Sequence, residues 1–217
     1  MDHEKPKVQK VVIGMSHVGI SEEKQSKENN QEKILKEKIK EVIGLPFGVT
    51  EKAQILLILL DEKPAIEFTV KNDSELFDAI NSMDKIGLNV VTLPLNSDKG
   101  FVRIAVSKEK EIAKELMNLS ASSDSDHKRY GQLMGFPGTA IDAFGNEEKQ
   151  LGDGEQNTLT DNFPHFFNFR MSKENSTAEL EVLKRWNKLI LKYAPELFDE
   201  LYSPDDSIRF KRNVEKM

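Results

Sequence analysis

The residues best suited to chemistry lie between positions 129 and 145, where four glycines and a proline interrupt a chain rich in Lys, Glu and Leu. Pro137 fits the first turn of a helix, where its missing N–H costs no hydrogen bond. A helix start reached through Gly135 and Gly138 exposes backbone N–H groups at the positive end of a dipole. With the hydroxyl of Thr139 nearby, this pattern could hold a phosphate or carboxylate.

Two arginines and two histidines supply the other groups that such a site would need. Arg129 lies just before the helix start, and Arg170 follows a phenylalanine-rich segment. Both are candidate charge clamps for an anion. His165 is the candidate general acid and base, with His127 as its alternative. Residues 146–162 are almost free of apolar side chains and are predicted to form a long loop or lid over the site.

Each of these features also has a purely structural interpretation. Glycines at 131 and 135 are typical of a tight turn between two closely packed helices, and the phosphate-loop pattern is missing. Residues 163–172 (FPHFFNFRMS) alternate as a strand does, so their phenylalanines are predicted to belong to the core. A single histidine among them is more often structural than catalytic.

Composition and motifs exclude several classes of function. The chain has no cysteine, which excludes disulfides, thiol nucleophiles and cysteine-ligated zinc or iron–sulfur sites. It carries no dinucleotide fingerprint, no His-x-x-x-His pair and no Ser-His-Asp ordering, so we predict neither a cofactor nor a metal. The net charge of −6 argues against nucleic-acid binding.

The order of predicted elements indicates an α+β fold. We expect a mixed, mainly antiparallel sheet of about five strands covered by helices, followed by a helical C-terminal half. Amphipathic helices are predicted over residues 34–43, 74–86, 107–119, 176–193 and 195–201. The strands are predicted at residues 11–13, 53–60, 65–70, 88–93 and 101–106, with 53–60 and 65–70 forming a hairpin. A buried helix is the alternative for residues 53–60, because periodicity cannot separate the two.

The 217 residues are interpreted as a single domain, 1–217. Residues 21–30 contain no apolar side chain and are predicted to be a flexible linker or loop, 120–126 a polar hinge, and 203–217 a loose tail. The longest apolar run, residues 55–60, is too short to cross a bilayer. The N-terminus lacks the apolar core of a signal peptide. We therefore expect a soluble, cytoplasmic protein without membrane contact.

Two further segments carry a resemblance. Residues 135–144 read GFPGTAIDAF, and the later phenylalanine-rich segment is followed by Ser172, Glu179 and Trp186 and by the sequence Pro-Glu-Leu at 195–197. Over about the last ninety residues the chain resembles a family of uncharacterised proteins with a Gly-(Phe/Tyr)-Pro-x-Thr-Ala motif. The resemblance implies no activity, but it implies that the turn and the C-terminal helix belong to one unit. In that helix, residues 176–179 (STAE) are predicted to form a capping box.

Because catalytic motifs are missing, the sequence favours a binding or regulatory module that contacts a small ligand or a protein partner. The phenylalanine-rich segment would be its contact surface. The alternative is an enzyme acting on a phosphorylated or carboxylated small molecule. That enzyme would bind its substrate at the helix start near Pro137, with Arg129 and Arg170 as clamps and His165 as acid and base.

Overall fold

A computed structural model describes residues 18–95, 100–122, 126–161, 163 and 169–202, with side chains from residue 30 onward. The chain separates into two units, residues 1–36 and 37–217. The predicted strand at 11–13, the tail 203–217 and His165 lie outside the described residues. The prediction of a single domain stays a prediction.

The described residues form nine helices and three strands. The helices are α1 (Val18–Gly44), α2 (Val49–Leu59), α3 (Ser74–Lys85), α4 (Lys110–Ala121), α5 (His127–Leu133), α6 (Gly138–Ala143), α7 (Asp153–Thr160), α8 (Ser176–Tyr193) and α9 (Pro195–Leu201). The strands are β1 (Ala65–Lys71), β2 (Asn89–Pro94) and β3 (Phe101–Ser107). The α+β class is confirmed, and the expectation of about five strands is wrong for this part of the chain. None of these helices is both long and apolar enough to span a membrane.

The sheet has the order β1-β3-β2, with both pairs antiparallel. Its register aligns Glu67 with Ala105 and Val91 across the three strands. On that face the sheet packs against α4 and α5 in one apolar cluster, formed by Ala65, Ala105, Ala113, Leu116, Met117, Leu133 and Met134. The cluster fixes α5, and with it the glycine-rich turn, against the sheet.

The apolar run at 53–60 is helical, so the predicted strand and its hairpin with β1 are wrong. Residues 53–59 of α2 are all buried, and a helix buried on every side shows no amphipathic period. Its Leu and Ala residues favour a helix. Asp61, with φ of +62°, turns the chain out of the helix. Lys108 Nζ then donates to the Leu59 carbonyl at 2.8 Å and to Asp61 Oδ1 at 2.7 Å.

Residues 21–30 lie within α1 and not in a loop. The segment holds neither glycine nor proline, and its Glu, Lys and Gln residues have good helix propensity. Polarity without a breaker is therefore compatible with a helix that continues into the apolar positions 34–43. Gly44 is the last residue of α1.

The predicted loop 146–162 contains α7, so the loop prediction is wrong over residues 153–160. Two acidic residues, Asp153 and Glu155, lie in its first turn, where they complement the helix dipole. Glu155 Oε2 accepts a hydrogen bond from Gly152 N at 3.0 Å. The first turn of α7 is therefore stabilised by acidic side chains, without an apolar residue.

The phenylalanine-rich strand is also not present in its described residues. Residues 162 and 164–168 lie outside the described part, and 169–171 have no regular structure. Gln156 of α7 binds this segment through Met171 N at 2.9 Å and the Phe169 carbonyl at 3.3 Å. Ser172 forms one isolated bridge with Gln150. The Gln156 side chain and the backbone of residues 149–151, where Leu151 N donates to the Met171 carbonyl at 2.9 Å, thus satisfy the backbone here.

The predicted hinge 120–126 overlaps the last two residues of α4, and its other residues come before α5. Helix α4 ends at Ala121, and Asp126 caps α5 by accepting from Lys128 N at 3.0 Å and Arg129 N at 3.1 Å. Residues 123–125 are outside the described part.

Candidate functional site

The glycine-rich stretch folds as the sequence predicts, into a helix, a sharp turn and a second short helix. Gly135 has φ of +72°, which a glycine adopts at no steric cost. Phe136 N closes the turn on the Gly131 carbonyl at 2.9 Å. Helix α6 begins at Gly138, one residue after Pro137.

A cavity of about 180 Å³ lies between α5 and α6; we call it the α5–α6 cavity. Most of its wall is apolar and comes from the stretch itself: Tyr130, Gly131, Phe136, Ala140, Ile141 and Phe144. Phe169 of the phenylalanine-rich segment 163–172 closes it, and His127 and Arg170 add the polar groups. The cavity thus joins the two segments that the sequence singles out.

Arg170 is the predicted clamp that reaches this cavity. Its Nη2 lies 2.5 Å from Asp153 Oδ1, and its Nη1 donates to the Leu151 carbonyl at 3.3 Å. The Asp153 side chain is 80% exposed. An ion pair with so exposed a partner contributes little to stability, so another carboxylate could replace Asp153.

Arg129, the other predicted clamp, does not line the cavity. Its Nε and Nη2 donate to Glu115 Oε1 at 2.6 Å and Oε2 at 2.7 Å. This pair of hydrogen bonds raises the pKa of Arg129 and lowers the pKa of Glu115. The arginine links α5 to α4.

Thr139 faces the other side of α6 and is bound by the protein's own carboxylate. Its Oγ1 donates to Glu179 Oε1 at 2.5 Å. Glu179 is 1% exposed and also accepts from Ser172 Oγ and Ser172 N, both at 2.7 Å. An internal carboxylate thus takes the hydroxyl that we expected to meet an anionic ligand.

Glu179 is not part of a capping box, so that prediction is wrong. Asn175 precedes the first residue of α8 and gives no side-chain cap. Its N–H instead donates to Ser172 Oγ at 3.1 Å. The partners of Glu179 therefore lie outside its own helix, and the local Ser-x-x-Glu spacing has no means of showing this.

A second, polar pocket of about 200 Å³ adjoins this cluster. It is lined mainly by polar side chains, namely Thr139, Asp142, Lys149, Ser172, Glu174 and Asn175. Helix α6 therefore separates an apolar cavity from a polar one. This division could not be predicted, because the sequence does not show which way a six-residue helix faces.

His127, the alternative acid and base, lies at the start of α5, and its ring centroid is 5.4 Å from that of Phe144.

Tyr130, one turn further on, has its pKa raised to about 12 by burial and by the nearby charge of Glu67. Burial also raises the pKa of Glu67. The phenol of Tyr130 therefore stays neutral at physiological pH.

Lys63 is the residue that sequence analysis missed altogether. It lies in the turn between α2 and β1 and is 3% exposed. Its Nζ donates to Gln54 Oε1 at 3.1 Å and lies 5.6 Å from the Phe136 ring centroid and 5.0 Å from that of Trp186. Burial lowers its pKa to about 7. A lysine in a polar turn gives no sequence signal of such burial.

Comparison with known proteins gives no match. No family model, no curated protein and no solved structure matches the chain. Within the described residues, no three His, Asp or Glu side chains converge to hold a metal ion. The function is therefore inferred from the geometry of the α5–α6 cavity.

The turn that builds the cavity depends on Gly135. A Cβ at this position would lie 2.9 Å from Pro64 Cδ and 3.3 Å from Lys63 Cα, on a backbone with φ of +72°. We expect Gly135→Ala to lower the free energy of unfolding by about 1–3 kcal/mol, measured by urea denaturation. Gly138→Ala is the control, because nothing lies within 4 Å of its Cβ position. Equal effects of the two substitutions would contradict this account of the turn.

Proposed function

We propose that the protein is a binding module whose α5–α6 cavity takes a small ligand with an apolar body and one carboxylate. The observation that carries this proposal is the placing of Arg170 on an otherwise largely apolar wall. Ligand sites in proteins commonly combine apolar walls with a few polar groups that orient the ligand.

The volume of the cavity indicates the size of the ligand. A dry cavity of roughly 150 Å³ accepts a benzene ring, and this one measures about 180 Å³. Phe136 and Phe169, with centroids 5.5 Å apart, present aromatic surface to it. One aromatic ring or a short branched chain therefore fits the apolar part.

The ion pair between Arg170 and Asp153 supports the anionic part of the ligand. Guanidinium binds carboxylates in a planar, two-point geometry. The Asp153 side chain, at 80% exposed, returns to water at little cost when a ligand carboxylate replaces it. While the ligand carboxylate replaces Asp153, the Leu151 carbonyl still accepts from Arg170 Nη1 and keeps the arginine side chain in place.

The enzyme alternative has less support. Of its clamps, only Arg170 lines the cavity; Arg129 pairs with Glu115, and Thr139 binds Glu179. His165 lies outside the described residues, which leaves His127 as the acid–base candidate at this cavity. We therefore propose ligand binding without catalysis.

Benzoate and its uncharged analogue benzyl alcohol test the proposal. We expect both to bind with an affinity measurable by ligand-observed NMR, and benzoate to bind more tightly. Arg170→Gln should weaken the binding of benzoate by about tenfold, the equivalent of ~1.4 kcal/mol, and should change the affinity for benzyl alcohol by less than about twofold. Asp153→Asn should strengthen benzoate binding, because the competing carboxylate is removed.

Arg185→Gln is the matched control. This arginine is also exposed and also paired with one carboxylate, Glu62, at 2.8 Å. It does not line the cavity. If Arg185→Gln weakens benzoate as much as Arg170→Gln, or if neither compound binds, the proposed function is wrong.

A further inference from the structure

Lys63 and the α5–α6 cavity share a wall. The ring of Phe136 lines the cavity, and its centroid lies 5.6 Å from Lys63 Nζ. Phe169 also lines the cavity, and its ring meets Trp186 edge-on at 6.4 Å. Phe136 thus belongs both to the surroundings of a buried amine and to the wall of an apolar cavity.

The surroundings of Lys63 do not offset a positive charge. Its hydrogen-bond partner is the neutral amide of Gln54, itself 6% exposed. Among the described residues no carboxylate forms an ion pair with it. The nearby indole of Trp186 has a buried Nε1 without a hydrogen-bond partner in the described structure.

Such an environment favours the neutral amine, which is the nucleophilic form of lysine. Desolvation in an apolar pocket is one of the ways in which proteins activate lysine toward carbonyl groups. At pH 7 about half of the Lys63 amines are neutral, given a pKa of about 7. A surface lysine with the usual pKa has about one neutral amine in 2,500 at that pH.

We propose that Lys63 is a covalent capture site for small apolar aldehydes, which reach its amine from the α5–α6 cavity when the Phe136 ring turns aside. The inference rests on the proposed function, because the aldehyde enters through the same cavity. The amine lone pair attacks the carbonyl carbon and forms a C–N bond. The carbonyl oxygen then leaves as water with both amine protons, and an imine remains. No electron donor or acceptor is required.

Reductive trapping with benzaldehyde tests the inference on the full-length protein. The aldehyde and sodium cyanoborohydride are added at pH 7, and peptide mass mapping follows the modification of each lysine. We expect Lys63 to be modified at least about ten times faster than Lys36, whose side chain is 68% exposed. Because both lysines are compared within one protein, the result does not depend on a variant that folds.

Two further measurements test the route. Excess benzoate is expected to slow modification of Lys63 at least about threefold by occupying the cavity, and to leave Lys36 unchanged. Phe136→Ala removes the shared wall and should speed modification of Lys63 at least about threefold. Phe136→Leu keeps an apolar side chain there and replaces the alanine variant if that one does not fold.

The outcomes separate this inference from the proposed function. If benzoate binds the cavity and Lys63 is modified no faster than Lys36, the inference is wrong and the binding proposal stands. Modification of Lys63 that benzoate does not slow overturns the route through the cavity, and the inference with it. If benzoate does not bind and Lys63 is not modified, both are wrong.

Discussion

Raising the pH from about 7 to about 10 is expected to increase the free energy of unfolding by up to ~1.4 kcal/mol per pH unit. The cause is Lys63, whose pKa burial lowers from 10.5 to about 7. Between these values the unfolded chain keeps a proton that the folded protein has released. Stability rises with pH wherever the unfolded state binds more protons. Over the whole range the gain is on the order of a few kcal/mol.

The pH range over which Lys63 raises stability has a lower and an upper limit. Below about pH 7 the amine carries its proton in both states, so Lys63 adds no slope there. Above about pH 10 Tyr130 acts in the opposite direction, because its folded pKa is raised to about 12. There the unfolded chain loses the phenol proton first, and stability falls as the pH rises.

Urea denaturation at several pH values measures the effect, with Lys63→Met as the comparison. Methionine has a similar length and no charge, so the difference between the two proteins isolates Lys63 from every other titrating group. We expect that difference to change by at least about 1 kcal/mol between pH 7 and pH 9. A difference that does not vary with pH would mean that Lys63 is not buried as a lone amine.

Replacing Glu179 by Ala is expected to lower the free energy of unfolding by about 3–5 kcal/mol. The substitution leaves three donors without their acceptor: Thr139 Oγ1, Ser172 N and Ser172 Oγ. Two of them belong to Ser172, which is 4% exposed, so water replaces the carboxylate poorly. Urea denaturation at pH 7 measures the loss.

Glu181→Ala is the matched control, two positions further along the same helix. Its carboxylate pairs with Lys184 at 2.6 Å and its side chain is 58% exposed, so we expect a change below about 0.5 kcal/mol. If both substitutions cost the same, Glu179 does not hold α6 and the Ser172 segment in place.

The regular elements that follow simple patterns could be predicted from the sequence. Asp73 caps α3 through Glu75 N at 3.1 Å and Leu76 N at 3.3 Å, as its position before an amphipathic run indicates. The alternation of apolar and polar residues correctly predicts the strands β1 and β3. In each case the signal and its cause lie within a few residues of each other.

The elements that were mispredicted depend on distant partners or on burial from all sides. The apolar run of α2 has the length and the continuous apolar pattern of a buried strand, and periodicity cannot separate the two; in the fold the run packs as a helix against β1, α8 and α9. Glu179 fits a local capping pattern, yet one of its donors, Thr139, lies 40 positions away. The sequence offers no local trace of such a pairing.

The site was predictable to a similar degree. The turn at Gly135 follows from its glycines and proline, whereas Arg170 lines a cavity that Pro137, Gly138 and Thr139 do not line. Arg129 was misjudged because Glu115, 14 positions earlier in another helix, binds it. Lys63 gave no signal, since a lysine beside a proline in a polar turn is ordinarily solvated.

The bond between Thr139 and Glu179 also has a consequence for chain length. It closes a loop of 40 positions, which contains α7 and the phenylalanine-rich segment. The entropy of closing a loop grows only with the logarithm of its length, by about 0.6 kcal/mol for each doubling. Insertions between the two residues therefore add little closure entropy to the junction of α6 and α8.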